Sequence, residues 1–248
     1  MDQQQPGPPP TNIDGSHALP QNQVQPADET ILSLALHDGW EALKREPLIL
    51  IGFHLLKIPL IGMVALMLGG SFALGKAITP HFLHPLQRLI LGSIFVLLDG
   101  IFSIGILYAA LRILRRQPVP FSTFFAPFQR FVPIVIGLVL MQAIVACGIF
   151  VLIVPGIVFA LALSQWALLV MDRNLDAVEA LRVSWRMMRG FKADYFLLWL
   201  VLITINLLGA IPLGLGLFVT VPLTFATQAA YYERLSSIRP PLLAQPGA

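Results

Sequence analysis

One cysteine, Cys147, stands among 248 residues. A lone thiol makes neither an intrachain disulfide nor a cysteine-based metal site, so nothing in the chain marks an oxidising compartment. Cys147 lies inside an apolar run, where a small buried side chain is expected. Charge is scarce too. Charged residues make up 12% and apolar residues 56%, against about 25% and 45–50% in soluble domains. That balance excludes an ordinary soluble domain. The formal net charge of +3 is too small to indicate a nucleic-acid partner.

Other absences narrow the class further. The first 27 residues contain no Lys or Arg and almost nothing to bury; MDQQQPGPPP and QNQVQP are rich in Pro, Gln and Asn. This composition reads as a disordered tail. It has no basic and apolar regions of a signal peptide and no Gly at position 2 for myristoylation, so insertion is expected to use internal spans. The sequence contains no G-x-S-x-G, P-loop or H-E-x-x-H, and no enzyme activity or cofactor is expected. Asp99-Gly100 is similar to the start of a lipid alcohol-phosphotransferase motif, but the further aspartates that such metal chemistry needs are missing. His81 and His84 form an H-x-x-H without acidic or cysteine neighbours, and no metal is expected there.

What the chain does have is long apolar runs. Six spans can be drawn, at about 48–68, 89–113, 132–153, 156–171, 194–209 and 212–232. The run 132–171 would make a helix of about 60 Å, twice the hydrocarbon thickness. The VPG at 154–156 therefore reads as a tight hairpin turn, and GAIPLG at 209–214 as another. With the N-terminus in the cytoplasm, thirteen of the sixteen basic residues fall inside, Lys76 and Arg88 fall outside, and Lys57 lies within a span. The positive-inside rule favours that orientation, with both termini cytoplasmic in a cell inner membrane. Tyr108, Trp166, Tyr195, Tyr231 and Tyr232 then cluster at the cytoplasmic ends, where interfacial aromatics are expected.

Between spans four and five lies LDAVEALRVSWRMMRG, 175–190. Ala177, Leu181, Ser184, Trp185 and Met188 share one helical face; Arg182, Arg186 and Arg189 share another. The spacing predicts a helix lying in the interface, its apolar face sunk among headgroups. Asn174 can cap it, Asp176 suits its first turn, and Gly190 can end it. A similar stripe, Leu32, Leu36, Trp40 and Leu43, precedes the first span. A weaker one, Phe121, Phe124, Phe125 and Phe128, precedes the third, with Pro127 to kink it. These suggest a cytoplasmic amphipathic helix followed by a hairpin, used three times over about 28–113, 117–171 and 174–234. The alternative is that short loops in any polytopic protein tend to be amphipathic.

The run IVPGIVFALALSQWALLVMDRNLDAVEALRVSWRMMRGFKADYF resembles a bacterial group of six-span proteins related to the membrane domain fused to some glycerophosphodiester phosphodiesterases. The resemblance is carried by Pro155-Gly156, by Ala180, Leu181, Ser184 and Gly190, and by the Gly/Pro-rich last hairpin. It implies a fold and a location, and no chemistry. The stretches outside the spans are too short for the soluble phosphodiesterase domain.

The expected fold is thus an all-α bundle of six transmembrane helices over 28–234, with cytoplasmic tails at 1–27 and 235–248. Two candidate sites follow. Lys57 and Asp99 sit near mid-depth in adjacent antiparallel spans, with His54 one turn from Lys57. Intramembrane charges are costly and face the protein interior or water. They could serve as a substrate or proton site, or as an ion pair holding the hairpin. Gln142, Gln165 and Asn206, in spans three to five, could line a polar path or act as interhelical hydrogen-bonding groups. The second candidate is a lipid-headgroup surface of Arg182, Arg186, Arg189, Trp185 and Trp40. The first functional expectation is a non-enzymatic membrane protein whose basic cytoplasmic face contacts lipids or another membrane protein. The alternative is a small-solute or ion transporter using Lys57 and Asp99. The sequence does not fix an oligomeric state.

Overall fold

A computed structural model of the chain describes residues 30–78 and 84–238. The described residues are helical apart from short links. Helix α1, Ile31–Arg45, opens with the Thr30 hydroxyl accepting from the Ser33 N–H at 3.3 Å, while the Ser33 hydroxyl donates to the Thr30 carbonyl at 2.8 Å. Lys44 and Arg45 fill its last turn, where positive charge suits the helix dipole. The chain then turns at Glu46, and Pro47 begins α2, Pro47–Ile78. Proline suits that first position because its missing N–H would have no partner there. The two helices meet at 89°. Antiparallel to α2 runs α3, His84–Leu114.

A ten-residue 3-10 helix, Phe121–Arg130, follows. It is long for its type and is held by aromatic packing. Phe124 is fully buried, stacked on Phe102 at 5.3 Å and tilted against Phe53 at 5.1 Å. Its backbone lies directly on α3 at Gly105, where a side chain would collide with the Phe124 carbonyl.

Helix α4, Phe131–Val151, reverses into α5, Ile153–Ala162, through one extended residue, Leu152. The expected turn at 154–156 is therefore displaced. Pro155 and Gly156 lie in the first turn of α5, where proline is tolerated. Gly156 instead serves close packing: Gly148 and Gly156 face each other across the hairpin, and a Cβ on either would meet backbone at 2.7–2.8 Å. The last hairpin repeats the device with Gly209 and Gly216. There α8, Lys192–Ala210, passes through a turn at 211–216 into α9, Leu217–Ile238.

The fourth expected span is broken. A turn at 163–165 separates α5 from α6, Trp166–Arg173. Asn174, with φ 56°, ends α6 rather than capping the next helix; Asp176 occupies the N-cap position of α7, Ala177–Met187. Gly190, with φ 84°, follows α7 in the left-handed conformation expected of it.

Four stretches among the described residues are long and apolar enough to cross a membrane: Gly92–Leu114, Phe121–Val151, Ile153–Arg173 and Lys192–Ala210. Counting α1 with the first part of α2 as one bent stretch makes five. The chain is an all-α, multi-span membrane protein, with four or five such stretches against the six expected.

The core lies toward one end of the bundle, which holds α1, the 3-10 helix, α7 and most of the arginines; this end is called the basic face below. Trp166, Tyr195, Tyr231 and Tyr232 are buried there, so they are core residues and not the interfacial aromatics expected. Gly137 leaves room for the Trp166 ring. At the other end, Phe150 to Val154 and Ile211 to Leu213 stand largely exposed at the hairpin tips. Cys147 is exposed on α4, contrary to the buried position expected. Its place in an apolar run reflects an outward-facing span surface, where apolar residues need no protein cover.

Candidate functional site

Two groups of polar residues stand out, one inside the bundle and one at the basic face. The first joins α2 to α3. Lys57 Nζ lies 2.8 Å from Asp99 Oδ1 and donates to Ser103 Oγ at 2.6 Å. Register is set one end away, where Arg45 Nη1 donates to the Ile113 carbonyl at 3.2 Å. Counting about 1.5 Å per residue from that contact puts the pair about 20 Å into the hairpin. The Phe225 ring of α9 closes over Lys57 at 5.9 Å. The side chains differ in exposure, 12% for Lys57 against 42% for Asp99. His54 lies one turn away, and its buried Nδ1 has no hydrogen-bond partner among the described residues. Ser103 was not legible as a member, although it follows Asp99 by one helical turn and so shares its face.

The amides expected to extend this group make their contacts elsewhere. Asn206 donates to the Leu202 carbonyl at 2.8 Å and to Thr224 Oγ1 at 2.7 Å, tying α8 to α9. Gln142 is exposed on α4 and lines an apolar cleft of about 540 Å³ with Gly92 and Val96. Gln165 is buried in the break between α5 and α6. The six candidate residues therefore occupy four places rather than one path.

The break itself explains part of the helix at 177–187. Ser184, fully buried on α7, accepts from the Gln165 backbone N–H at 3.1 Å and donates to the Ala162 carbonyl at 3.0 Å. One hydroxyl thus serves two backbone groups that an unbroken helix would have paired internally. Ala177, Ala180, Leu181, Val183, Met187 and Met188 are buried alongside it. The apolar face of α7 is consequently covered by protein, chiefly α6 and α4, and not sunk among headgroups as expected. Of the other two expected interfacial helices, the 3-10 helix buries Phe124 of its stripe and keeps Phe121, Phe125 and Phe128 exposed. Helix α1 packs along α9 through Ala35, Gly39 and Ala42, with Gly39 against the Thr227 backbone, while Trp40 stays exposed. Arg182 and Arg186 are exposed on the outer side of α7, and Arg189 is exposed in the turn that follows it. Trp185 is half-buried, between the Phe159 ring at 5.7 Å and Lys192 Nζ at 4.3 Å. His81 lies outside the described residues.

At the same end is an ion cluster that sequence reading missed. The Arg115 guanidinium, just past α3, binds both oxygens of Asp172 from α6, with Nη2 to Oδ2 at 3.1 Å. It also donates to Glu233 Oε2 of α9, from Nε at 2.9 Å and from Nη2 at 2.7 Å. The Tyr232 hydroxyl adds a bond to Asp172 Oδ2 at 2.9 Å, and Arg173 Nε lies 3.3 Å from that same oxygen. Hydrogen bonding from Asp172, against the opposing effect of burial and with help from Glu233, holds Arg115 protonated far above its ordinary range. Outside this cluster, Arg234 donates to Asp38 Oδ2 of α1 at 2.7 Å. The three central residues lie within two residues of the ends of the three expected units, and each precedes an arginine: Arg115-Arg116, Asp172-Arg173, Glu233-Arg234. That recurring doublet was the available signal. Counted only as positive charge, it had no visible partner.

Among the described residues no group of His, Cys, Asp and Glu is arranged to hold a metal ion. Comparison with known proteins assigns no chemistry. Residues 138–239 match the family described as "Protein of unknown function (DUF975)". Over 132 residues the chain is 26% identical to uncharacterised proteins of Mycobacterium tuberculosis and Mycobacterium bovis, covering 53% of this chain. It spans 40% of the length of these curated relatives. No solved structure matches.

Proposed function

We propose that this chain is a six-pass membrane protein without catalytic activity, which meets anionic lipid headgroups or a membrane partner through its basic face. In this reading the termini and that face are cytoplasmic, in a cell inner membrane. The three helix-plus-hairpin units are repeats of one element, related to the membrane domain fused to some glycerophosphodiester phosphodiesterases. One observation carries the reading. Helix α7 packs most of its apolar face on the protein while presenting Arg182 and Arg186 outward. A helix fixed by its own bundle does not need these arginines for packing, and each basic residue near an anionic surface contributes about 1 kcal/mol of attraction.

The test is stability in nanodiscs of graded anionic-lipid content. Wild-type protein should gain stability as phosphatidylglycerol replaces phosphatidylcholine, and Arg182→Ala with Arg186→Ala should remove most of the gain. An unchanged gain in the double variant would sink the proposal.

A second reading, transport of a small solute or ion, draws on one feature: the half-exposed Asp99 carboxylate beside Lys57 deep in the hairpin. Solute-dependent flux in proteoliposomes that disappears with Asp99→Asn would favour it.

A further inference from the structure

Where α3 ends, the backbone takes a conformation that favours glycine. The Gln117 N–H bonds to the Arg112 carbonyl at 2.9 Å and the Arg116 N–H to the Ile113 carbonyl at 3.0 Å. This nested pair is the usual closure of a helix around a left-handed residue, which is most often Gly or Asn. Here it is Arg116, with φ 56°. The side chain is exposed, and among the described residues it makes no hydrogen bond or ion pair. A strained arginine with no structural partner points to a use outside the fold's own packing.

Its surroundings indicate that use. Arg116 and Arg45 together line an open cleft of about 620 Å³ between the start of α2 and the end of α3. Arg45 is held at the rim by its bond to the Ile113 carbonyl, which leaves most of its donors unused. Glu46 stands on the same wall, without an ion-pair partner among the described residues, and Ile49 and Val119 supply apolar lining. The cleft sits at the first turn of one long apolar helix and the last turn of its neighbour, the level at which lipid headgroups meet a multi-span protein.

We propose that this cleft binds an amine-bearing phospholipid of the phosphatidylethanolamine type. Arg45 and Arg116 take the phosphate, since guanidinium donors match phosphate oxygens in pairs. Glu46 takes the ammonium, and Ile49 and Val119 meet the glycerol end of the chains. Two positive charges and one negative charge answer a headgroup carrying one of each sign. Basic pockets between membrane helices commonly hold lipid headgroups. The site is distinct from the α7 arginines and rests only on the chain being a multi-span membrane protein.

The experiment measures thermal unfolding of the full chain in detergent with added phosphatidylethanolamine, phosphatidylglycerol, phosphatidylcholine or inorganic phosphate. Phosphatidylethanolamine should raise the midpoint most, by about 5 °C near saturation, and inorganic phosphate should leave it unchanged. Arg116→Gly should abolish this shift while raising the lipid-free midpoint slightly, because glycine relieves the left-handed strain. Arg116→Asn, also tolerant of that conformation, should lose the shift as well. Glu46→Gln should bring phosphatidylethanolamine down to the level of phosphatidylglycerol. The α7 double variant should keep the full phosphatidylethanolamine response, so that this proposal and the lipid reading of α7 fail separately. A full shift in both Arg116 variants would overturn the site, and an equal shift with inorganic phosphate would overturn its assignment to a lipid.

Discussion

The Ser184 hydroxyl of α7 stands in for a missing piece of helix, accepting from Gln165 N–H and donating to the Ala162 carbonyl across the break between α5 and α6. Removing it leaves two backbone groups in a buried setting without partners. Each such group costs about 1–3 kcal/mol. Ser184→Ala should therefore lower stability by about 2–4 kcal/mol, read as a drop in unfolding midpoint in detergent. A change near zero would mean that water or a backbone shift replaces the hydroxyl.

Lys57 and Asp99 form a close pair whose members are unequally buried. Asp99→Ala leaves the more buried Lys57 with the Ser103 hydroxyl and the Phe225 ring as its remaining partners. Lys57→Ala leaves a carboxylate that is already half-exposed. Either single change strands a charge deep in the hairpin, and a double-mutant cycle should give a coupling of about 1–3 kcal/mol. A coupling indistinguishable from zero would remove the structural role and strengthen the transport reading.

Arg115 gathers Asp172 and Glu233 from two different helices through a planar fork of donors. Lysine offers a point charge without that geometry. Arg115→Lys should recover only a minor part of the stability lost in Arg115→Ala, itself about 2–4 kcal/mol given the partial exposure of Glu233. Full recovery by lysine would show that charge alone suffices there.

The glycine pair at the α4–α5 turn makes a different kind of prediction. A Cβ at Gly156 would lie 2.7 Å from the Ile149 backbone nitrogen, whereas one at Gly52 in α2 would meet nothing within 4 Å. Gly156→Val should destabilise by about 1–3 kcal/mol through overpacking. Gly52→Ala should be neutral or stabilising by up to about 1 kcal/mol, since alanine is the better helix former. Equal effects at both positions would contradict the close approach of the hairpin.

Much of this was legible in the chain, and the rest was hidden for definite reasons. Periodicity identified an apolar face of which Ala177, Leu181, Ser184 and Met188 are buried and Trp185 is half-buried, with Ala180, Val183 and Met187 buried beside them. It carries no information about what covers that face, so the protein's own helices were mistaken for lipid. Pro155 marked a reversal, but proline is tolerated in the first turn of a helix as well as in a turn, and the reversal fell three residues earlier at Leu152. Lys57 and Asp99 could be brought to one depth by counting residues in two adjacent helices. No such count reaches Arg115, Asp172 and Glu233, which meet only after three separate hairpins have packed. Ser184 was visible as a residue of the apolar face, but its task depends on a break in another helix that apolar sequence conceals.

The account depends most on α7 facing the cytoplasm while the α8–α9 turn faces the opposite side. In a Cys147→Ser background, Arg186→Cys and Leu213→Cys would each be labelled with a membrane-impermeant maleimide in intact and in opened cells. Both positions are exposed in the fold. Labelling is expected at 213 in intact cells and at 186 only after opening. Labelling of both positions from the same side would contradict that orientation.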